Sequence, residues 1–271
     1  MVLWTSQFPG VDKLYHKASF FLRCIRYNAG MTTHVYLSPH LDDAIYSCGG
    51  LLARQAAQGE PPHVLTLCAG DPPGPLSAFA RELHQRWGLP RAAVAARREE
   101  DLAACAALGA TASHGPFPDA VYRLDNTGTP RYPDENAIFG LLHPDEAGLA
   151  AEMGAWLDAQ LPPEAVLYAP LGLGGHVDHI LARMAAEQVR DPVYYPDFPY
   201  AGAGGKLPAG LRQPAGQARS IPLTTGEIAA WIKAATCYVS QRSTFWLDDA
   251  TMGAAFRHYH DEAGGLLLIY T

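Results

Sequence analysis

From Met31 onward the chain alternates short apolar β-type runs with helical patterns, and that alternation leaves few architectures open. HVYLS (34–38), HVLTLCA (63–69), AVLYAP (165–170), PVYYP (192–196) and LLLIY (266–270) read as strands, with a weaker one expected at 113–117. Helical patterns fall between them. They are Asp43–Gln58 closed by Gly59, Ser77–Trp87, Arg91–Leu108 closed by Gly109, and a stretch with Leu149, Met153, Trp156, Leu157 and Leu161 at helical spacing. Asp178–Arg190 and Thr224–Gln241 follow, the last opened by a Thr224/Glu227 capping box. Strands joined through helices of this length make right-handed crossovers. The expected fold is therefore α/β, a mainly parallel β-sheet flanked by helices in a single domain. Ligands of such sheets bind beyond the carboxyl ends of the strands.

Composition narrows the partners. The formal charge of -7 and the lack of a Lys/Arg cluster argue against nucleic acid, and a neutral, sugar-like small molecule fits better. Five scattered cysteines (Cys24, Cys48, Cys68, Cys105, Cys237) without C-x-x-C spacing point to reduced thiols in a reducing, cytoplasmic compartment. No run approaches the roughly 18 apolar residues of a membrane span. Residues 1–30 carry Lys13, Lys17, Arg23 and Arg26 around a short ASFFL stretch. That stretch is below the ~7–15 residues of a signal-peptide core, so 1–30 reads as an N-terminal extension before a domain covering 31–271. Residues 124–145, rich in Asp, Asn, Pro and Gly, read as a long loop, and Pro196–Pro222 as a flap.

Two motifs carry the chemistry. LSPHLDDA (37–44) follows the first strand with His40, Asp42 and Asp43; GGHVDH (174–179) follows strand 165–170 with His176, Asp178 and His179. Each alone has a plain explanation, since acidic residues that open a helix serve as caps and dipole partners. Two clusters of the same composition at equivalent strand ends arise rarely by chance. His40 and Asp43, three apart across a tight turn, and His179 from the opposite loop are the expected metal ligands, leaving a position open for water. Asp42 is then the expected general base, and His176 the group that stabilises an oxyanion. Asp178 is expected to orient a histidine.

Three other features weigh less. LLHPDEA (141–147) lacks a preceding strand and reads as a surface loop. GLGGH (172–176) lacks the complete dinucleotide fingerprint. The HYH at 258–260 reads as a polar terminal segment.

These residues give the chain a resemblance to the LmbE-like (PIG-L) family of zinc-dependent N-acetylglucosaminyl deacetylases, with motifs His-Pro-Asp-Asp and His-x-Asp-His. Here the first is His40-Leu41-Asp42-Asp43, with Leu41 at the proline and Ala44 where a glutamate is frequent. RREEDLAACAALG (97–109), PDAVYR (118–123) and IKAATCYVSQ (232–241) extend the likeness over about residues 32–245. The resemblance implies a Rossmann-like fold, one zinc per subunit, and Arg97 and Asp119 as substrate contacts. It also implies hydrolysis of an N-acetyl group from an N-acetylglucosamine-type sugar or conjugate. Iron(II) could replace zinc, because mixed N/O ligands discriminate weakly. The resemblance assigns the same roles as the residues themselves: His40, Asp43 and His179 on the metal, Asp42 as base, His176 as electrophilic helper. Loops 124–145 and 196–220 are expected to close over the substrate. The alternatives are a metal- and sugar-binding protein without turnover and, more remotely, a nucleotide-dependent enzyme. A homo-oligomer is left open.

Overall fold

The computed structural model describes residues 32–271; the N-terminal extension expected at 1–30 lies outside the described residues. Five parallel strands form the body of the sheet: β1 (His34–Ser38), β2 (His63–Thr66), β3 (Thr111–His114), β4 (Val166–Pro170) and β5 (Val193–Tyr195). Two more, β6 (Gln217–Ile221) and β7 (Leu266–Tyr270), complete the order β3-β2-β1-β4-β5-β7-β6. β7 runs antiparallel to both neighbours, with Val193 opposite Tyr270 and Ile221 opposite Leu266. The sheet is mixed but mainly parallel, as the alternation of elements requires.

Among the described residues, nine α-helices accompany it: α1 (Asp43–Ala57), α2 (Ala78–Arg86), α3 (Ala93–Ala107), α4 (Glu135–Ile138), α5 (Leu149–Gln160), α6 (Val177–Val189), α7 (Thr225–Ala235), α8 (Val239–Phe245) and α9 (Asp249–Ala263). Successive side chains of a strand point to opposite faces, and β1 divides accordingly. Val35 and Leu37 join Leu65, Met153, Leu157 and Leu181 in one core under α5 and α6. Tyr36 joins Ile45, Leu52, Val64, Trp231 and Phe256 in the other, under α1, α7 and α9. The indole of Trp231 donates to Ile45 O at 2.7 Å. A Cβ on Gly49 would lie 2.4 Å from that ring, so α1 accepts α7 only with glycine there.

The order places β2 and β4 on either side of β1. The chain leaves β1 toward one neighbour and returns on the other, so the loops after β1 and β4 part and open a crevice at their carboxyl ends. Both motifs lie on these loops.

Several expectations are corrected. β3 occupies 111–114 rather than 113–117, because Gly115-Pro116 turns the chain and Pro116 has no N–H for the ladder. β2 ends at Thr66 instead of Ala69, although Leu67 and Cys68 still donate to Ser38 O and Pro39 O. The helix expected over 224–241 is two, α7 and α8. Thr236 Oγ1 donates to Lys233 O at 2.7 Å, and Tyr238 is drawn to Asp101, which interrupts the helix between them. The capping box of Thr224 and Glu227 is formed. HYH at 258–260 lies within α9, which Asp248 and Thr251 cap and Gly264 ends in the left-handed conformation. The 196–222 segment contains β6 rather than being wholly irregular. Cys48, Cys68, Cys105 and Cys237 are free, the first three buried. Among the described residues, no helix is long and apolar enough to cross a membrane.

Candidate active site

Ser38, the last residue of β1, builds the first turn: its hydroxyl donates to His40 O at 2.6 Å and accepts Ala44 N at 3.0 Å. His40 N donates to Asp43 Oδ2 at 2.8 Å, folding the motif back on itself. Leu41, at the family's proline, is buried. Asp42 occupies the cap position of α1, yet its side chain caps nothing. The capping explanation for this acidic pair therefore fails at Asp42, which is buried and free for other work.

The second motif arrives from β4 through three glycines with left-handed backbone, Gly172 (φ +83°), Gly174 (φ +84°) and Gly175 (φ +77°). His176 caps α6, its Nδ1 accepting Asp178 N at 3.2 Å. His40 and His176 meet edge to face with ring centroids 4.7 Å apart, and each lies 5.3 Å from the ring of His179. The two motifs thus converge, as their strand ends require.

Every proposed site residue lies in this crevice. Asp43 Oδ2 sits 3.1 Å from His40 Nδ1 and 3.3 Å from His179 Nε2. Asp178 Oδ2 lies 2.9 Å from His40 Nε2, so the histidine within its reach is His40. Asp119 Oδ2 lies 3.8 Å from His40 Nε2 and 3.8 Å from Arg97 Nη1, while its Oδ1 accepts Val121 N. Arg97 is buried, 4.0 Å from Asp42 and stacked 4.8 Å over Trp87. Arg97 and Asp119 are therefore interior residues facing the crevice, not surface ion-pair formers.

Charge follows from these contacts. Burial and the neighbouring Asp43 push the Asp42 carboxyl up to about 7, with Arg97 opposing. Asp43 is held low by His179 and His40 against its burial. Burial would lower His40 and His179, but Asp119, Asp178 and Asp43 raise the first, and Asp43 and Asp197 raise the second to about 9. Burial and His40 hold His176 well below its ordinary value, hence neutral at pH 7. With Nδ1 accepting a backbone N–H, a neutral His176 carries its proton on Nε2 and can donate there.

The donor set fits a divalent cation. His179 Nε2 is buried and, although 3.3 Å from Asp43 Oδ2, makes no aligned hydrogen bond, a situation that costs about 1–3 kcal/mol unless something satisfies it. Asp43 and His40 beside it are the oxygen and nitrogen donors such an ion takes. A ring nitrogen of His176 also falls within 4.8 Å of one on each of His40 and His179, as do atoms of Asp119 and Asp178 around His40.

A model of the PIG-L family, GlcNAc-PI de-N-acetylase, matches residues 35–190, more than half of the chain. The chain belongs to the PIG-L family. A 2'-N-acetylparomamine deacetylase of Streptomyces fradiae is 36% identical over 183 residues, which are 61% of this chain and 57% of that protein. One of Niallia circulans is 30% identical over 194 residues, 64% of this chain and 69% of that protein. The chain thus aligns with little more than half of the first relative's length. Among solved structures, a deacetylase of the teicoplanin biosynthesis pathway superposes with a TM-score of 0.78 at 26% identity, over 89% of this chain and 99% of that one.

Residues that the motifs do not announce also reach this site of the PIG-L chain. Asp197, just after β5 and beyond the matched segment, lies 2.6 Å from His179 Nδ1. Its other oxygen accepts Gly172 N and Leu173 N at 2.7 and 2.8 Å. Arg123 donates to Asp178 Oδ1 at 2.5 Å and grips Glu146 with Nε and Nη2 at 2.7 and 3.1 Å. LLHPDEA is therefore not a plain surface loop, since Glu146 is fully buried. The signal available for Asp197 was its place at the end of a strand in the same sheet. Glu146 offered none.

Proposed function

We propose that the protein is a metal-dependent deacetylase that removes an N-acetyl group from an amino sugar or its conjugate. The observation that carries this is Asp42: a buried carboxylate at a helix start that caps nothing, held near neutrality beside a His-Asp-His donor set. A protein that only bound metal and sugar would have no use for it. The relatives named as 2'-N-acetylparomamine deacetylases support an N-acetylated amino sugar as substrate class.

His40, Asp43 and His179 would hold the ion, with zinc the first choice for this N/O set and iron(II) the second. Bound there, it would polarise the acetamide carbonyl and lower the pKa of water toward ~7. The chain's own groups do the rest. Asp42 takes the proton from the attacking water, and with its carboxyl near 7 it can both accept and return it. His176 donates its Nε2–H to the oxygen that gains negative charge on the former carbonyl. Asp42 then delivers its proton to the departing amine nitrogen, and acetate remains. Asp178 fixes the ring of His40 and Asp197 that of His179. Arg97 and Asp119, a donor and an acceptor on the crevice wall, hold the sugar's hydroxyls.

Incubation of zinc-loaded protein with N-acetylglucosamine and with 2'-N-acetylparomamine, followed by acetate and primary-amine assays, tests the proposal. Equimolar acetate and amine are expected from at least one. Roughly one bound ion per chain without acetate from either would remove the deacetylase function.

A further inference from the structure

We infer that Glu146 is a positioning residue for His40, acting through Arg123 and Asp178; the inference rests on the deacetylase site proposed above and extends it. Glu146 comes from the 3-10 turn Pro144–Glu146, far from either motif in sequence, yet its carboxylate is completely enclosed. Both oxygens are engaged. Oε1 takes Arg123 Nε at 2.7 Å and Arg131 Nη1 at 3.3 Å; Oε2 takes Arg123 Nη2 at 3.1 Å and the Tyr132 hydroxyl at 2.8 Å. The paired contact with Arg123 is the fork geometry that fixes a guanidinium in both position and plane.

That plane decides where the remaining nitrogen points. Nη1 of Arg123 donates to Asp178 Oδ1 at 2.5 Å and to Pro118 O at 3.2 Å. Asp178 Oδ2 accepts Ala120 N at 2.8 Å and lies 2.9 Å from His40 Nε2. A continuous buried run therefore links Glu146, Arg123, Asp178 and His40. A direct partner such as Asp178 sets the ring orientation of a metal-binding histidine, and losing such a partner costs about 10–100-fold in activity or metal affinity. An ion pair with a purely structural role would have no need to end on the imidazole.

Glu146→Gln keeps the shape and removes the charge that holds the fork; Glu146→Asp keeps the charge at a shorter reach. Tyr132→Phe deletes a hydrogen bond to the same oxygen and leaves the fork intact. Two readouts separate position from stability: the ring proton and nitrogen shifts of His40 in the metal-free protein, and kcat with KM for acetate release. Glu146→Gln is expected to fold, to move the His40 ring signals, and to lower kcat about tenfold or more with KM little changed. Glu146→Asp should recover part of the loss, and Tyr132→Phe should melt earlier with kcat near wild type. A folded Glu146→Gln with His40 signals at their wild-type positions would overturn the inference, as would an unchanged kcat. Wild-type protein that releases no acetate would defeat the proposed function, and the His40 shifts alone would then decide this point.

Discussion

Asp197 Oδ1 lies 2.6 Å from His179 Nδ1, and the partner oxygen of the same carboxylate holds the backbone N–H groups of Gly172 and Leu173. One side chain therefore orients a proposed metal ligand and shapes the loop leading to His176. Asp197→Ala should weaken zinc binding about 10–100-fold, the usual range for such partners. Competition with a chromophoric chelator measures it, and an unchanged affinity would reduce Asp197 to a loop anchor.

Asp42→Asn should leave the metal in place and lower kcat by about 10²–10⁴, the range for a lost general base. The wild-type rate should also fall as pH drops through about 7, because the base must be ionised to accept a proton and burial beside Asp43 holds it there. Asp42→Asn should lose that limb. Turnover within a few-fold of wild type would take Asp42 out of the reaction.

Gly174→Ala combines two penalties, a left-handed backbone and a Cβ placed 2.9 Å from the Tyr200 ring. Either alone costs on the order of 1–2 kcal/mol. The variant should melt several degrees lower and lose activity more steeply than stability, since Tyr200 packs 5.6 Å from the His179 ring. Calorimetry beside an acetate assay tests this, and a wild-type melt would show that the loop can yield freely.

His63 predicts how the fold responds to acid. It is buried between Thr111 and Ser113, each hydroxyl 2.8 Å from a ring nitrogen. Burial, with His114 nearby, lowers its pKa to about 4, against about 6.5 unfolded. Between those values the unfolded chain binds the proton more readily. Stability from this residue is complete above pH ~6.5 and is lost as pH falls toward ~4, by on the order of 3 kcal/mol. Urea denaturation across that window should show a flatter decline for His63→Gln than for wild type; equal slopes would refute the assignment.

The parts of this molecule that could be read from sequence are those where local signals agree with the tertiary answer. HVYLS followed by HLDD is a strand, a turn and a helix start within a dozen residues, and the structure returns β1, the turn and α1 at those places. Pairing His40 with His179 needed only the rule that ligands sit at strand ends. β6 was not legible because QARSI is almost wholly exposed and is a strand only through its pairing with β7. α9 had a usable signal, Met252, Phe256 and Tyr259 at helical spacing, masked by the polar residues around them. Glu146, Arg123 and Asp197 carry no periodicity; each matters because of a partner that only the folded chain supplies.

The place of β7 also bears on how the protein emerges from a ribosome. A nascent chain extended to residue 250 already contains every histidine and carboxylate of the crevice, yet β5 still has an open edge, because Val193 and Tyr194 await Tyr270 and Ile269. Asp197 and Tyr200 hang directly from that edge. Until residues 266–270 clear the exit tunnel, β5 is held on its β4 side alone, and its other edge is open to pairing with a neighbouring chain.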